Sequence, residues 1–302
     1  MRIVFLTFGL LMSSLVHGLA QVSVEVLLSE PEFLRDESLI VRVRIANRSG
    51  QPLQLGKTAD WLSFAVQSHD GHSVDKTGEV PVIDPFTMES SQTATKTVNL
   101  MPHFQFPQPG RYSVIATVKV PEWNEEFLSA PKTFHIIRGA RIWEQEFGVP
   151  RKEGAPEVRK YSLVRAQGLK QVRLYARITD LDENRVFRVV PLGQVVSFGK
   201  PETQVDKQSR LHVLFQNGPR SFLYGAFTPD GEWAVRQCHD YSETRPTLRV
   251  SDTGLVLVNG GYRRYTAADI PSSATAGADE PAKPAVAPPV EAPGKDGKPA
   301  KQ

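Results

Sequence analysis

The sequence predicts an all-β chain of two β-rich halves followed by a disordered tail. Three observations carry this. Short apolar runs of period two, separated by turn residues, recur through most of the chain. No long stretch repeats its apolar residues every 3.6 positions. The second half also repeats its own pattern, which points to a stacked β architecture.

The ends delimit the folded part. Arg2 precedes an apolar run over residues 3–16, and Gly18-Leu19-Ala20 places small residues where a signal peptidase reads them. Residues 1–20 are therefore expected to be a signal peptide cleaved before Gln21. The alternative is a retained anchor, but the run is shorter than the ~20 residues a helical span needs. No Cys follows the expected cleavage point to carry a lipid, and no later apolar stretch is long enough for a helix to cross a membrane. An extracytoplasmic location, periplasmic or secreted, follows as the expectation. At the other end, residues 268–302 are rich in Pro, Ala, Lys and acids, with no aromatic side chain. Such a segment buries too little surface to offset its ordering entropy, so a disordered tail is expected.

Residues 21–139 read as a first β-domain. Leu39, Val41, Val43 and Ile45 share one face of a strand whose other face carries Arg42 and Arg44. A run from Trp61 to Gln67 leads to Asp70-Gly71, a strong hairpin signal. Further runs begin near Thr93, Tyr112 and Ser129, and about seven short strands in such a span make a β-sandwich. Pro109-Gly110-Arg111-Tyr112-Ser113-Val114 resembles the corner of immunoglobulin-like folds, where a tyrosine enters the penultimate strand two residues before a core position. Val114 stands where antibody-type domains carry a cysteine. The segment thus resembles cysteine-poor bacterial Ig-like domains of the cell-adhesion type, which implies an Ig-like β-sandwich.

Residues 140–155 read as a linker, and residues 156–267 as a second β-domain with an internal repeat. Pro156-Glu157 recurs as Pro201-Glu202 and, at the same spacing of 45, as Pro246-Thr247. Leu174-Tyr175-Ala176-Arg177-Ile178-Thr179 matches Leu223-Tyr224-Gly225-Ala226-Phe227-Thr228 at a spacing of 49. The longer turn at residues 206–210 is expected to absorb the difference. Gly168, Gly218 and Gly260 close the strands that precede each match. A four-strand unit of this length resembles a β-propeller blade, and in the clearest copy the strands are expected at 203–206, 211–216, 221–227 and 233–238. Thr228-Pro229-Asp230-Gly231-Glu232-Trp233 resembles the Asp-box turn of sialidase-like propellers, one residue short between Asp230 and Gly231. Two and a half repeats are too few to close a ring. Stacking into a small open sandwich is favoured over an oligomer in which several chains complete the ring.

Composition narrows the partners. The chain has 36 basic residues, one of them Arg2 in the leader, against 33 acidic ones. So even a balance argues against nucleic acid. Cys238 is the single cysteine, so no internal disulfide is available.

Three short segments resemble reactive or metal-binding motifs and have simpler readings. Asp180-Leu181-Asp182-Glu183-Asn184 opens like a calcium loop, but Arg185 stands where the turn glycine belongs and Pro191 where the closing glutamate belongs. A hairpin turn explains it. His69 and His72 flank a turn with no third ligand in view. Cys238-His239-Asp240 lists triad residue types, yet neighbours on a strand point to opposite faces. No metal, cofactor or catalytic residue is assigned.

For binding, the candidate is the loop from Pro121 to Glu126, with Trp123, Glu122 and Asn124 as the contacting residues. An aromatic flanked by acids there is able to stack on a sugar or anchor in a partner; the alternative is an indole that lids the core. The expected function is a non-catalytic binding or envelope-assembly module for an envelope or extracellular protein or glycan. The alternatives are an inhibitor or chaperone-like protein acting on an exported enzyme, and a glycan-active enzyme with two converging carboxylates.

Overall fold

The computed structural model describes residues 22–150, 155–196, 198–267 and 269; the expected signal peptide and nearly all of the expected tail lie outside them. The described chain is all-β. Its strands are β1 (Val22–Leu28), β2 (Glu32–Leu34), β3 (Ile40–Asn47), β4 (Leu53–Leu55), β5 (Leu62–Ser68), β6 (Phe86–Met88), β7 (Thr93–Asn99), β8 (Gly110–Val120), β9 (Glu125–Leu128) and β10 (Lys132–Ile137) in the first half. The second half holds β11 (Gly139–Val149), β12 (Glu157–Gln167), β13 (Val172–Asp180), β14 (Val186–Gln194), β15 (Glu202–Val205), β16 (Leu211–Gln216), β17 (Ser221–Phe227), β18 (Trp233–Asp240), β19 (Thr247–Val250), β20 (Val256–Asn259) and β21 (Tyr262–Arg264).

In the first half, a sheet of order β1-β3-β7 faces one of order β2-β10-β8-β5, with β9 also on β8 and β4-β6 as a small extra pair. Alternation decides which side chains go inside. Leu39, Val41, Val43 and Ile45 are fully buried, and Tyr112, Val114, Ala116, Val118 and Val120 line the same core from β8. The Tyr112 hydroxyl donates to the Gln108 carbonyl at 2.5 Å, tying the entry of β8 to the preceding loop. Trp61 is buried and its indole N–H donates to Val82 O at 3.0 Å, which holds the irregular segment after the Asp70-Gly71 turn against the core. That turn closes through Ser68 N to His72 O, and the returning chain pairs with β5 only briefly. At Gly56, φ is +83° and an added Cβ would lie 1.9 Å from the Asp84 carbonyl oxygen, so only glycine fits.

The second half is built of two four-stranded antiparallel meanders, β11-β12-β13-β14 and β15-β16-β17-β18, the latter extended by β21. They pack face to face over one core containing Tyr161, Leu163, Leu174 and Ile178 from the first and Leu211, Val213, Phe215, Leu223 and Phe227 from the second. The Leu-Tyr match of the repeat falls on the third strand of each meander. Leu174 and Leu223 point into the shared core, while Tyr175 and Tyr224 point to the outer faces. The turns before them are alike, with Gly168 N bonded to Gln171 O and Gly218 N to Ser221 O. The Pro-Glu marker is not equivalent in the same way: Glu157 opens the second strand of its meander, Glu202 the first. The spacing difference therefore comes from one long strand, β12, standing against the β15–β16 hairpin.

Residues 139–149, expected to fall mostly in a linker, form β11 and pair with β12 from Gly139↔Ala166 to Val149↔Glu157. Charged residues dilute the apolar signal of this strand, and a bulge between Arg141 and Trp143 breaks its alternation.

Both meanders are covered on their outer faces too. Leu34 and Ile137 of the first half pack on Val164, Ala166, Tyr175 and Val189. The β19–β20 hairpin lays Leu248 and Val258 over Leu214, Phe222, Tyr224, Ala226 and Val235. Burial on both faces explains the nearly unbroken apolar runs of β16 and β17. At the junction of the halves, Arg173 pairs with Glu30, Arg177 with Asp36, and Leu169 N donates to Glu32 Oε1 at 2.6 Å.

Candidate functional site

The loop singled out by sequence is the β8–β9 turn. Trp123 N bonds to Val120 O and Asn124 N to Pro121 O, with Asn124 in the left-handed region at φ 52°. Glu122 and Asn124 are exposed. Trp123 is half-buried, packs on the first core and meets Phe127 edge-to-face at 6.2 Å between ring centroids. Its indole is thus partly engaged by the protein's own core, leaving one side and two polar neighbours outward.

A larger concavity lies in the second half, where the seam between the two meanders opens at their edge strands, β11 and β15. This groove, of about 790 Å³, has Ile142 and Trp143 on one wall, Leu163 and Arg165 at its base, and residues 198–204 with Leu248 and Val250 opposite. The β11 bulge matters here, because it turns two consecutive apolar side chains, Ile142 and Trp143, toward one groove. Phe198 is 88% exposed and Val250 54%. Exposed apolar groups clustered within a concave surface are a mark of binding sites.

The groove's charges lean positive. Arg165, Lys200 and Arg245 line it with Glu202 as the single acid. The Glu202 carboxylate accepts from Leu248 N at 2.7 Å, so part of it is already committed to holding the β19 wall. Arg245 lies over the Phe222 ring at 5.3 Å and has no ion-pair partner among the described residues, nor has Lys200. Sequence reasoning missed the groove because its walls come from segments about 100 residues apart. The available signals were Phe198 alone between turn residues and Trp143 among charged ones.

Other polar clusters are internally satisfied. Behind β16, burial pushes the Asp206 carboxyl up, but hydrogen bonds from His212, Arg210 N and the Arg210 side chain outweigh this and leave it below its usual range. Burial lowers His212 despite the adjacent acid. The neutral imidazole then donates from Nε2 to Asp206 at 3.0 Å and accepts at Nδ1 from the Tyr224 hydroxyl at 2.7 Å. All three side chains are buried, so this relay serves the fold. Glu183, held low by hydrogen bonds from Lys160 and Arg141, also pairs with Arg177. Its segment, the calcium-loop lookalike, is the β13–β14 turn, where Asp180 Oδ1 accepts from Arg185 N at 2.9 Å.

His69 and His72 are exposed at their turn, and among the described residues no three His, Cys, Asp or Glu side chains converge as a metal site. Cys238 is half-buried on β18, on the face opposite His239.

No family model matches the chain, and no curated protein matches it. Among solved structures, one described as the crystal structure of YadV chaperone aligns over 72% of this chain and 99% of that chain, at 9% identity and a TM-score of 0.22.

Proposed function

We propose that the protein is an exported, non-catalytic binding module that recognises an envelope or extracellular protein or glycan, and that the groove between β11 and β15 is its recognition surface. The observation that carries this reading is Phe198, an aromatic side chain 88% exposed at the rim of a groove already lined by Trp143, Leu248 and Val250. Leaving that much apolar surface in water costs about 2 kcal/mol for a large side chain, and an occupant recovers it. The leader-like residues 1–20 support export. In this reading the first half is an Ig-like sandwich, supported by the Tyr112-to-Gln108 bond, and the β8–β9 turn with Trp123, Glu122 and Asn124 is a second contact surface.

The test is affinity capture from envelope extract of the host with the wild type, Phe198→Ala and Trp123→Ala. Retention that is lost with Phe198→Ala supports the groove. Loss with Trp123→Ala alone moves the site to the turn. If the wild type retains nothing that either substitution releases, the binding reading fails.

A further inference from the structure

The lining of the groove specifies its occupant more narrowly than protein or glycan. Resting on the binding reading above, we propose that the occupant is an extended peptide segment that carries acidic residues among apolar ones and lies along the seam between β11 and β15.

Three independent features converge on this. The first is charge: Lys200 and Arg245, neither ion-paired among the described residues, line the groove, and its one acid, Glu202, is engaged by Leu248 N. An acidic occupant is complementary, and a basic one is repelled. The second is apolar character. Ile142, Leu163, Leu248 and Val250 are aliphatic, which suits branched or aromatic side chains of a peptide. Trp143 and Phe198 add two aromatic faces, but a sugar ring also needs amides and carboxylates around such a face, and the lining offers one side-chain amide, Gln204, and one carboxylate, Glu202, already engaged by Leu248 N.

The third feature is the backbone. β11 pairs only with β12, and β15 only with β16. Among the described residues neither edge has a backbone partner on its outer side. Two free edges beside an apolar groove present N–H and C=O groups at the repeat of an extended chain, which is the geometry of strand addition. The edges are short or bulged, so addition is confined to a few residues and side-chain pockets supply the selectivity.

The experiment is selection of a displayed random dodecapeptide library on the purified protein, followed by titration of the most enriched synthetic peptides. Enrichment of sequences alternating apolar and acidic residues is expected, with binding that weakens as salt rises. The double substitution Lys200→Glu with Arg245→Glu, both at exposed positions that leave the fold intact, is expected to weaken binding at least tenfold. Trp143→Ala is expected to do likewise, with a thermal melt to verify folding. Amide exchange is expected to slow at residues of β11 when peptide is bound. The proposal is overturned if no peptide is enriched, if enriched peptides lack acidic bias, if the charge-reversed protein binds them equally, or if β11 amides gain no protection. A parallel glycan array separates the two levels. Glycan binding that Phe198→Ala abolishes, with no peptide enriched, removes the peptide and leaves the binding module standing; silence in both removes both.

Discussion

Glu37→Gln isolates a buried carboxyl at the junction of the two halves. Glu37 is 4% exposed, and its Oε2 accepts from Leu34 N at 2.7 Å. Burial pushes its pKa up from 4.5 to about 7; the Leu34 hydrogen bond and Arg173 oppose the rise, and Glu30 adds to it. The folded-state value lies above the unfolded one, so the carboxyl's contribution to stability is fully present below pH 4.5 and is lost as pH rises through 7. A displacement of this size corresponds to about 3 kcal/mol between those limits. Glutamine keeps an oxygen for Leu34 N and has no proton to lose. The buried Tyr175 hydroxyl senses the Glu37 charge, which helps to push its own pKa up, and the neutral amide removes that charge. Urea unfolding followed by tryptophan fluorescence at pH 5 and pH 8 reads the effect. The wild type is expected to lose about 2.5 kcal/mol more than the variant across that interval, part of the full effect being already lost at pH 5, with the variant the more stable at pH 8. Parallel loss in both proteins would refute the assignment of the pH dependence to Glu37.

Three further substitutions test the fold. Tyr112→Phe removes the bond to Gln108 O and is expected to cost about 1 kcal/mol in urea unfolding, with the far-UV spectrum unchanged. Gly56→Ala forces a Cβ onto the Asp84 carbonyl at positive φ and is expected to cost roughly 2–5 kcal/mol, read as a lower melting temperature. Asp206→Asn removes the charge that Arg210 and His212 bond, with an expected loss of roughly 2–4 kcal/mol at pH 7. Because the Asp206 pKa is depressed, its contribution is present above the unfolded value of 3.8 and fades as pH falls through the folded one. Melts of wild type and variant are therefore expected to converge in strong acid.

Much of the strand order was legible because one-sided burial writes itself as alternation. β3 is the clear case, with Leu39 to Ile45 inside and two arginines outside. In the repeat, β15 to β18 lie within two residues of the positions expected from turn chemistry and apolar runs. β11 was hidden since it is an edge strand, half-exposed, charged and bulged, and none of these leaves a period. Trp123 was found where a loop was expected, but its contact with Phe127 depends on the hairpin turn bringing β9 back beneath it. The groove and the buried Glu37 were out of reach for a shared reason: each is made by segments distant in the chain, and a sequence lists a residue's neighbours along the chain only.

The double cladding of the β11–β14 meander bears on how the chain can be cut. The sequence suggests a boundary near Gly139, yet there an added Cβ would meet Val164 at 2.2 Å and Leu34 at 3.0 Å. A fragment beginning at this point would bare Val164, Ala166, Tyr175 and Val189, and would lose the acids that face Arg173 and Arg177. Such a fragment is a poor candidate for independent expression, while the intact chain should melt in a single transition, its two halves behaving as one cooperative body.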